Sequence, residues 1–137
     1  MDRDTKPEDL FVLLVTGDEW RRIKVRQLLA RAGYQVQVAC SQREALHALA
    51  HGVTPLRQDA AAIIVDQESL GPAALVIIRA VRIAELGIPV IVSSAFGAAD
   101  NVIACLRAGA ADYITWPPEP RQVLDTLARV LDTRATP

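Results

Sequence analysis

The chain predicts an α/β fold, a five-stranded parallel sheet with helices on both faces. Three observations carry this. Short apolar runs alternate five times with segments of helical period. Three of the five runs are apolar nearly throughout, as strands covered on both faces must be. An acid, Asp66, closes the apolar run Ala60-Ala61-Ala62-Ile63-Ile64-Val65 and is followed by a polar loop, so the run ends on a residue placed for chemistry or for capping.

The first run is Phe11 to Val15, and behind it Val25, Leu28, Leu29 and Ala32 fall at i, i+3, i+4, i+7, one buried stripe of a helix. The second run, Gln35 to Ala39, alternates polar and apolar residues as an edge strand does. Ser41-Gln42-Arg43-Glu44 then has capping-box spacing and opens the shortest helix. The stretch from His51 to Asp59, with Gly52 and Pro55, is the longest loop candidate. The third run, Ala61 to Val65, precedes a helical stripe of Ala74, Ile77, Ile78 and Val81. The fourth, Pro89 to Ser93, precedes Ala99, Val102, Ile103 and Leu106, and the fifth, Ala111 to Thr115, precedes Val123, Leu127, Val130 and Leu131. Gly33, Gly87 and Gly109 mark three helix ends, where a left-handed residue costs glycine little.

The 137 residues predict one domain over 1–137, with a core of about 10–132 and termini that fray or serve as linkers. Lys and Arg (15) nearly balance Asp and Glu (16), so the net charge of −1 offers no general field for nucleic acid or an anionic membrane. No window approaches the ~18 unbroken apolar residues of a membrane span. The N-terminus lacks the apolar core of a signal peptide, and Cys40 and Cys105 lie far apart within apolar stretches. These features predict a cytoplasmic protein with two buried thiols. His47 and His51 stand four apart without a third ligand and read as a surface pair.

In an open parallel sheet the C-terminal strand ends share one edge, and the loops leaving them build a crevice. That edge receives Gly17-Asp18-Glu19, Asp66, Ser93-Ser94-Ala95 and Trp116-Pro117-Pro118. Two carboxylates held close call for a cation, and oxygen-only ligation suits Mg²⁺. A carboxylate can also be the nucleophile of phosphoryl transfer, with a nearby hydroxyl binding a phosphoryl oxygen. The competing reading is structural: Asp66 caps the loop backbone and Asp18 caps the first helix.

From Phe11 to Leu131 the chain resembles the receiver domain of two-component response regulators. The resemblance rests on Leu13-Leu14-Val15 before an acid, Ala32-Gly33-Tyr34, Glu44-Ala45-Leu46, Ile64-Val65-Asp66, Pro89-Val90-Ile91-Val92 with Ser94-Ala95, and Ala108-Gly109-Ala110-Ala111-Asp112-Tyr113 leading to Pro117. It implies a flavodoxin-like (βα)₅ sheet of strand order 2-1-3-4-5. It implies phosphorelay signalling with Asp66 as phosphoacceptor, and Mg²⁺ held by Asp18, Asp66 and the backbone carbonyl of Glu68. Ser94 and Tyr113 would be the switch residues, and the fourth helix, fifth strand and fifth helix the signalling or dimerisation face. It implies no enzyme beyond self-catalysed phosphoryl transfer and hydrolysis. The implied partners are a histidine kinase or phosphotransfer protein, a second copy in a homodimer, and an output domain beyond Pro137. Direct nucleic-acid or membrane binding by this segment is not implied.

Two positions depart from the family pattern at the site. Gly17 stands where the family has the first of two acids, and Trp116 where it has a lysine before Pro117. A charge-assisted hydrogen bond to a phosphoryl oxygen is worth about 1.5 to 3 kcal/mol, against about 5.5 kcal/mol needed to reverse a two-state switch, so the missing lysine removes a large part of the drive. Indole offers one neutral donor and an apolar body, which fits Trp116 as a lid over the site edge or a partner contact. Glu19 opens the first helix and faces solvent or the dipole rather than replacing the missing acid. Arg21, Arg22 and Lys24 read as solvated, and Trp20 as partial cover for the loops. Beside the phosphoacceptor function stands a phosphorylation-independent pseudo-receiver that acts as an interaction or dimerisation module. A flavodoxin-like electron carrier is disfavoured, because the acids of Thr16-Gly17-Asp18-Glu19-Trp20 would repel a phosphate.

Overall fold

The computed structural model describes residues 6–52, 59–95 and 98–135. Its elements are a 3₁₀ turn at Pro7–Asp9, β1 Phe11–Val15, α1 Glu19–Arg31, β2 Gln35–Ala39, α2 Gln42–His51, β3 Ala62–Asp66, a helical turn α3 Gln67–Leu70, α4 Ala73–Ile83, β4 Val90–Ala95, α5 Ala99–Ala108, β5 Asp112–Trp116 and α6 Pro120–Ala135. The five strands are parallel, in the order β2-β1-β3-β4-β5. The fold is the flavodoxin-like doubly wound sheet, with the alternating strand β2 on an edge.

Strand side chains alternate between faces, and this splits the core in two. Leu13, Val15, Ile63, Val65, Val90 and Val92 pack on one side with Ala45 and Ala48 of α2, Ile77 and Ile78 of α4, and Cys105 of α5. Val12, Leu14, Ile64, Ile91 and Ile114 pack on the other with Val25 and Leu29 of α1 and Val123, Leu127, Val130 and Leu131 of α6. Each large aliphatic side chain so buried contributes about 1.5 to 3 kcal/mol, which fixes the strand register and with it the level of every strand end.

Several expectations shift. Strand β3 runs one residue further than its apolar run, because Asp66 pairs in register with Ser93. The polar stretch after Asp66 forms the turn α3, closed by Gly71 at φ 56. Helix α4 stops at Ile83, four residues before Gly87, and the non-glycine residue Glu85 takes a left-handed φ of 52. On α5 the buried residues are Cys105 and Ala108, while Ile103 and Leu106 of the expected stripe are 45% and 38% exposed. The nearly continuous apolar sequence of α5 allows two stripes, and the small residues are the ones that fit closely against the sheet. Cys40, expected buried, is exposed one residue past β2, whereas Cys105 is buried. His51 closes α2, and of the expected 51–59 loop the part at 53–58, including Pro55, lies outside the described residues.

Candidate functional site

The pairing of β1 with β3 decides what stands beside Asp66. Val15 is level with Val65, so the residue carried to the level of Asp66 is Thr16. Its hydroxyl donates to Asp66 Oδ2 at 2.8 Å. Ser69 of α3 completes this corner: its Oγ accepts from the Gly17 N–H at 2.9 Å and lies 3.3 Å from Thr16 Oγ1. Both loops are thus tied together through neutral hydroxyls.

Asp18 takes the capping role. Its Oδ1 accepts from the Arg21 N–H at 2.8 Å, satisfying one of the open donors at the start of α1. Asp66 has a cationic neighbour within the chain. Arg21, expected in solvent, reaches back over the strand end and donates Nη1 to Asp66 Oδ1 at 2.8 Å. A helical Cα–Cβ bond leans toward the N-terminus, which brings a first-turn side chain over the preceding strand end. The pair is well enclosed, with the Arg21 and Asp66 side chains 18% and 4% exposed.

Trp116 supplies the wall. It is half-buried against the core beneath α1 and α6, and the Arg21 guanidinium carbon lies 4.8 Å from its ring centroid. This is cation–π distance, and the indole screens the guanidinium from water while the carboxylate holds it from the other side. The group the indole lies against is Arg21. The Trp116–Pro117 peptide is cis.

The other expected residues make separate contacts. Ser94 is buried, and its hydroxyl donates to Gln67 Oε1 at 3.5 Å rather than to Asp66. The Glu68 carboxylate accepts from the Ala95 N–H at 3.2 Å, joining α3 to the end of β4. Tyr113 is 41% exposed on β5. Glu19 is exposed and pairs with Arg22 at 3.6 Å. Asp66 caps no backbone N–H of α3, so the capping reading holds for Asp18 alone. Trp20 is on the surface, 68% exposed.

Sequence reasoning missed Thr16, Ser69 and Arg21. Thr16 was legible as the first polar residue after β1 once the strands are set level. Arg21 required knowing that Trp116 leaves its pocket with apolar cover and no charge.

The donor set offers Mg²⁺ less here than two unpaired carboxylates would. Both Asp66 oxygens are engaged, Asp18 Oδ1 is committed to the helix, and the position level with Asp66 offers a hydroxyl. Among the described residues no three His, Cys, Asp or Glu side chains group as a metal site. A carboxylate paired with a guanidinium already has its counter-charge.

A doubly wound parallel sheet of this strand order, with an acid at the end of its middle strand, defines a receiver-type fold. The family model of the response regulator receiver domain matches residues 12–128. The chain belongs to that family, whose domains are typically non-enzymatic phosphoacceptors that bind Mg²⁺. It is 31% identical over 118 residues to the response regulator protein FleR of Pseudomonas aeruginosa, a match covering 86% of this chain and 24% of FleR. The chain therefore spans about a quarter of that relative's length. Among solved structures it is similar to a putative response regulator from Chloroflexus aurantiacus, with 26% identity, a TM-score of 0.80, and coverage of 90% of this chain and 98% of that one. A receiver domain protein from Clostridium thermocellum shares the fold at 18% identity and a TM-score of 0.81, covering 92% and 97% of the two chains. Among the described residues no helix is long and apolar enough to cross a membrane.

Proposed function

We propose that this receiver domain acts as a pseudo-receiver, a protein-interaction module of two-component signalling whose surface is set without phosphorylation of Asp66. The observation that carries the reading is the 2.8 Å contact of Arg21 Nη1 with Asp66 Oδ1. The guanidinium supplies from within the chain the positive charge that a cation and a lysine supply elsewhere in the family, and it does so permanently. Thr16 and Arg21 each donate to one Asp66 oxygen, and the paired guanidinium draws charge from the carboxylate and so lowers its nucleophilicity.

The surface to be read is the face of α5, β5 and α6, which corresponds to the predicted fourth helix, fifth strand and fifth helix. Ile103, Leu106 and Tyr113 expose apolar surface there, in keeping with a partner or a second copy docking on it. In the intact protein that partner includes an output domain. Replacing Asp66 with Asn in the intact protein, in its own cells, is expected to leave signalling unchanged. Complete loss of signalling would overturn the proposal.

A second reading has one observation in its favour. Asp66 stands at the end of the central strand, and the Arg21 guanidinium beside it has the charge and the fork geometry to receive a phosphoryl group. On this reading a histidine kinase or phosphotransfer protein donates to Asp66, and Ser94 and Tyr113 relay the change. Phosphorylation that survives Arg21→Ala would detach it from the guanidinium.

A further inference from the structure

On the face of the sheet that carries α4 and α5, their seam opens into a groove of about 410 Å³ lined by Arg79, Arg82 and Ile83 of α4 and Ala104, Arg107 and Ala108 of α5. Three arginines therefore line the groove together with two alanines and one isoleucine. None of the three arginines joins an ion pair formed among the described residues. Glu85 follows the groove in sequence but does not line it. Arg82 is fixed: its Nη1 donates to the Arg107 carbonyl at 3.4 Å, and its side chain packs over Gly109. Arg82 and Arg107 sit in the last turns of their helices, near the carbonyl ends. Two helix C-termini carry about −0.5 charge each, so three arginines leave the groove about two charges positive. This is a local excess in a chain whose net charge is −1.

The rim is apolar as well as basic. Ile83 is 81% exposed at one end, and Val76, one heptad earlier on α4, is 40% exposed. The groove continues along the seam into a second hollow of about 310 Å³, which shares Ala104 and reaches Gln67, Leu75 and Asn101. From Leu75 to Ile83 the helix rises about 12 Å, which matches about four residues of extended chain.

We propose that the α4–α5 groove docks an acidic segment of a partner protein, with carboxylates on Arg79 and Arg107 and one apolar side chain over the two alanines against Ile83. Guanidiniums pair bidentately with carboxylates, and a partner that brings them satisfies charges the fold leaves open. The exposed Ile83 gives an apolar anchor that a nucleic-acid backbone would not use, and the near-neutral chain lacks the extended basic surface such a polymer needs. The arginine-lined part of the groove is built from α4 and α5 alone, so the proposal stands whether or not Asp66 is ever phosphorylated.

The test uses the whole 137-residue chain and a fluorescein-labelled synthetic peptide in which glutamates flank a central leucine. Its anisotropy is followed at low and high salt, with amide shifts mapped by NMR. The expected result is binding that weakens with salt, with shifts at Arg79, Ala104 and Arg107. Arg79→Glu combined with Arg107→Glu should weaken it at least about tenfold, the loss expected for removed charge-assisted contacts. Arg79→Lys with Arg107→Lys should keep a measurable part, and Arg26→Glu on α1 should change nothing. Circular dichroism shows that each variant is folded. Equal binding of wild type and the double Glu variant, no binding at all, or stronger binding of a matched-charge oligothymidylate would overturn the proposal.

Discussion

Replacing Arg21 with Ala removes the counter-charge of an almost fully buried carboxylate. Breaking a buried ion pair from one side costs about 3 to 5 kcal/mol, because the remaining charge is left uncompensated. The Arg21 side chain is 18% exposed, so water can enter the space it vacates and solvate Asp66 in part. Against this, the variant also loses the contact with Trp116, worth about 0.5 to 2 kcal/mol. Together these give an expected loss of about 2 to 4 kcal/mol, and with a urea slope of about 2 kcal/mol per M the midpoint falls by about 1 to 2 M. Asp66→Asn should cost less, about 1 kcal/mol, since its amide oxygen still accepts a hydrogen bond and the guanidinium can turn toward water. The double variant should therefore be more stable than the sum of the two losses implies, with a coupling of about 1.5 to 3 kcal/mol. Urea unfolding followed by far-ultraviolet circular dichroism reads all four proteins. A loss within about 0.5 kcal/mol for Arg21→Ala, the scale of an exposed pair, would refute the reasoning.

Other consequences follow from single contacts. Asp18→Ala removes the α1 cap and should cost about 1 kcal/mol in the same urea experiment. Gly17→Ala should be neutral within about 0.5 kcal/mol, since an added Cβ meets nothing nearer than the Cys40 carbonyl at 3.6 Å. Gly109→Ala should cost about 1 to 2 kcal/mol, because φ is +126 and the new Cβ would lie 3.3 Å from Arg82 Cδ. Burial pushes the Cys105 thiol above its ordinary value by disfavouring the thiolate. Cys40 is exposed, so at about pH 8 iodoacetamide should modify Cys40 first and Cys105 only on unfolding, as peptide mapping would show.

The fold was legible because its causes are local and periodic. The apolar runs set the strands, and the stripes at Ala74, Ile77, Ile78, Val81 and at Val123, Leu127, Val130, Leu131 are buried as their spacing predicts. Helix α5 was misread because its apolar residues surround the helix, and packing distance to the sheet chose Cys105 and Ala108. At the site, the place of Asp66 followed from its run, but its partners did not. Thr16 is joined to Asp66 by strand register across 50 positions, and Arg21 by the direction of a side chain whose room depends on Trp116, 95 positions further along. The two departures noted in the sequence, Gly17 and Trp116, meet at one corner: the Gly17 N–H donates to Ser69 beside Thr16, and the indole lies against the arginine that pairs with Asp66.

Whether Asp66 is closed to phosphoryl transfer is read most directly by incubating the chain with Mg²⁺ and a small acyl-phosphate donor and measuring its intact mass. A receiver that is labelled under the same conditions serves as the positive control. The expected spectrum is that of the unmodified chain, with Arg21 and Thr16 holding both oxygens of Asp66. A gain of one phosphoryl group, mapped to Asp66, would contradict the account.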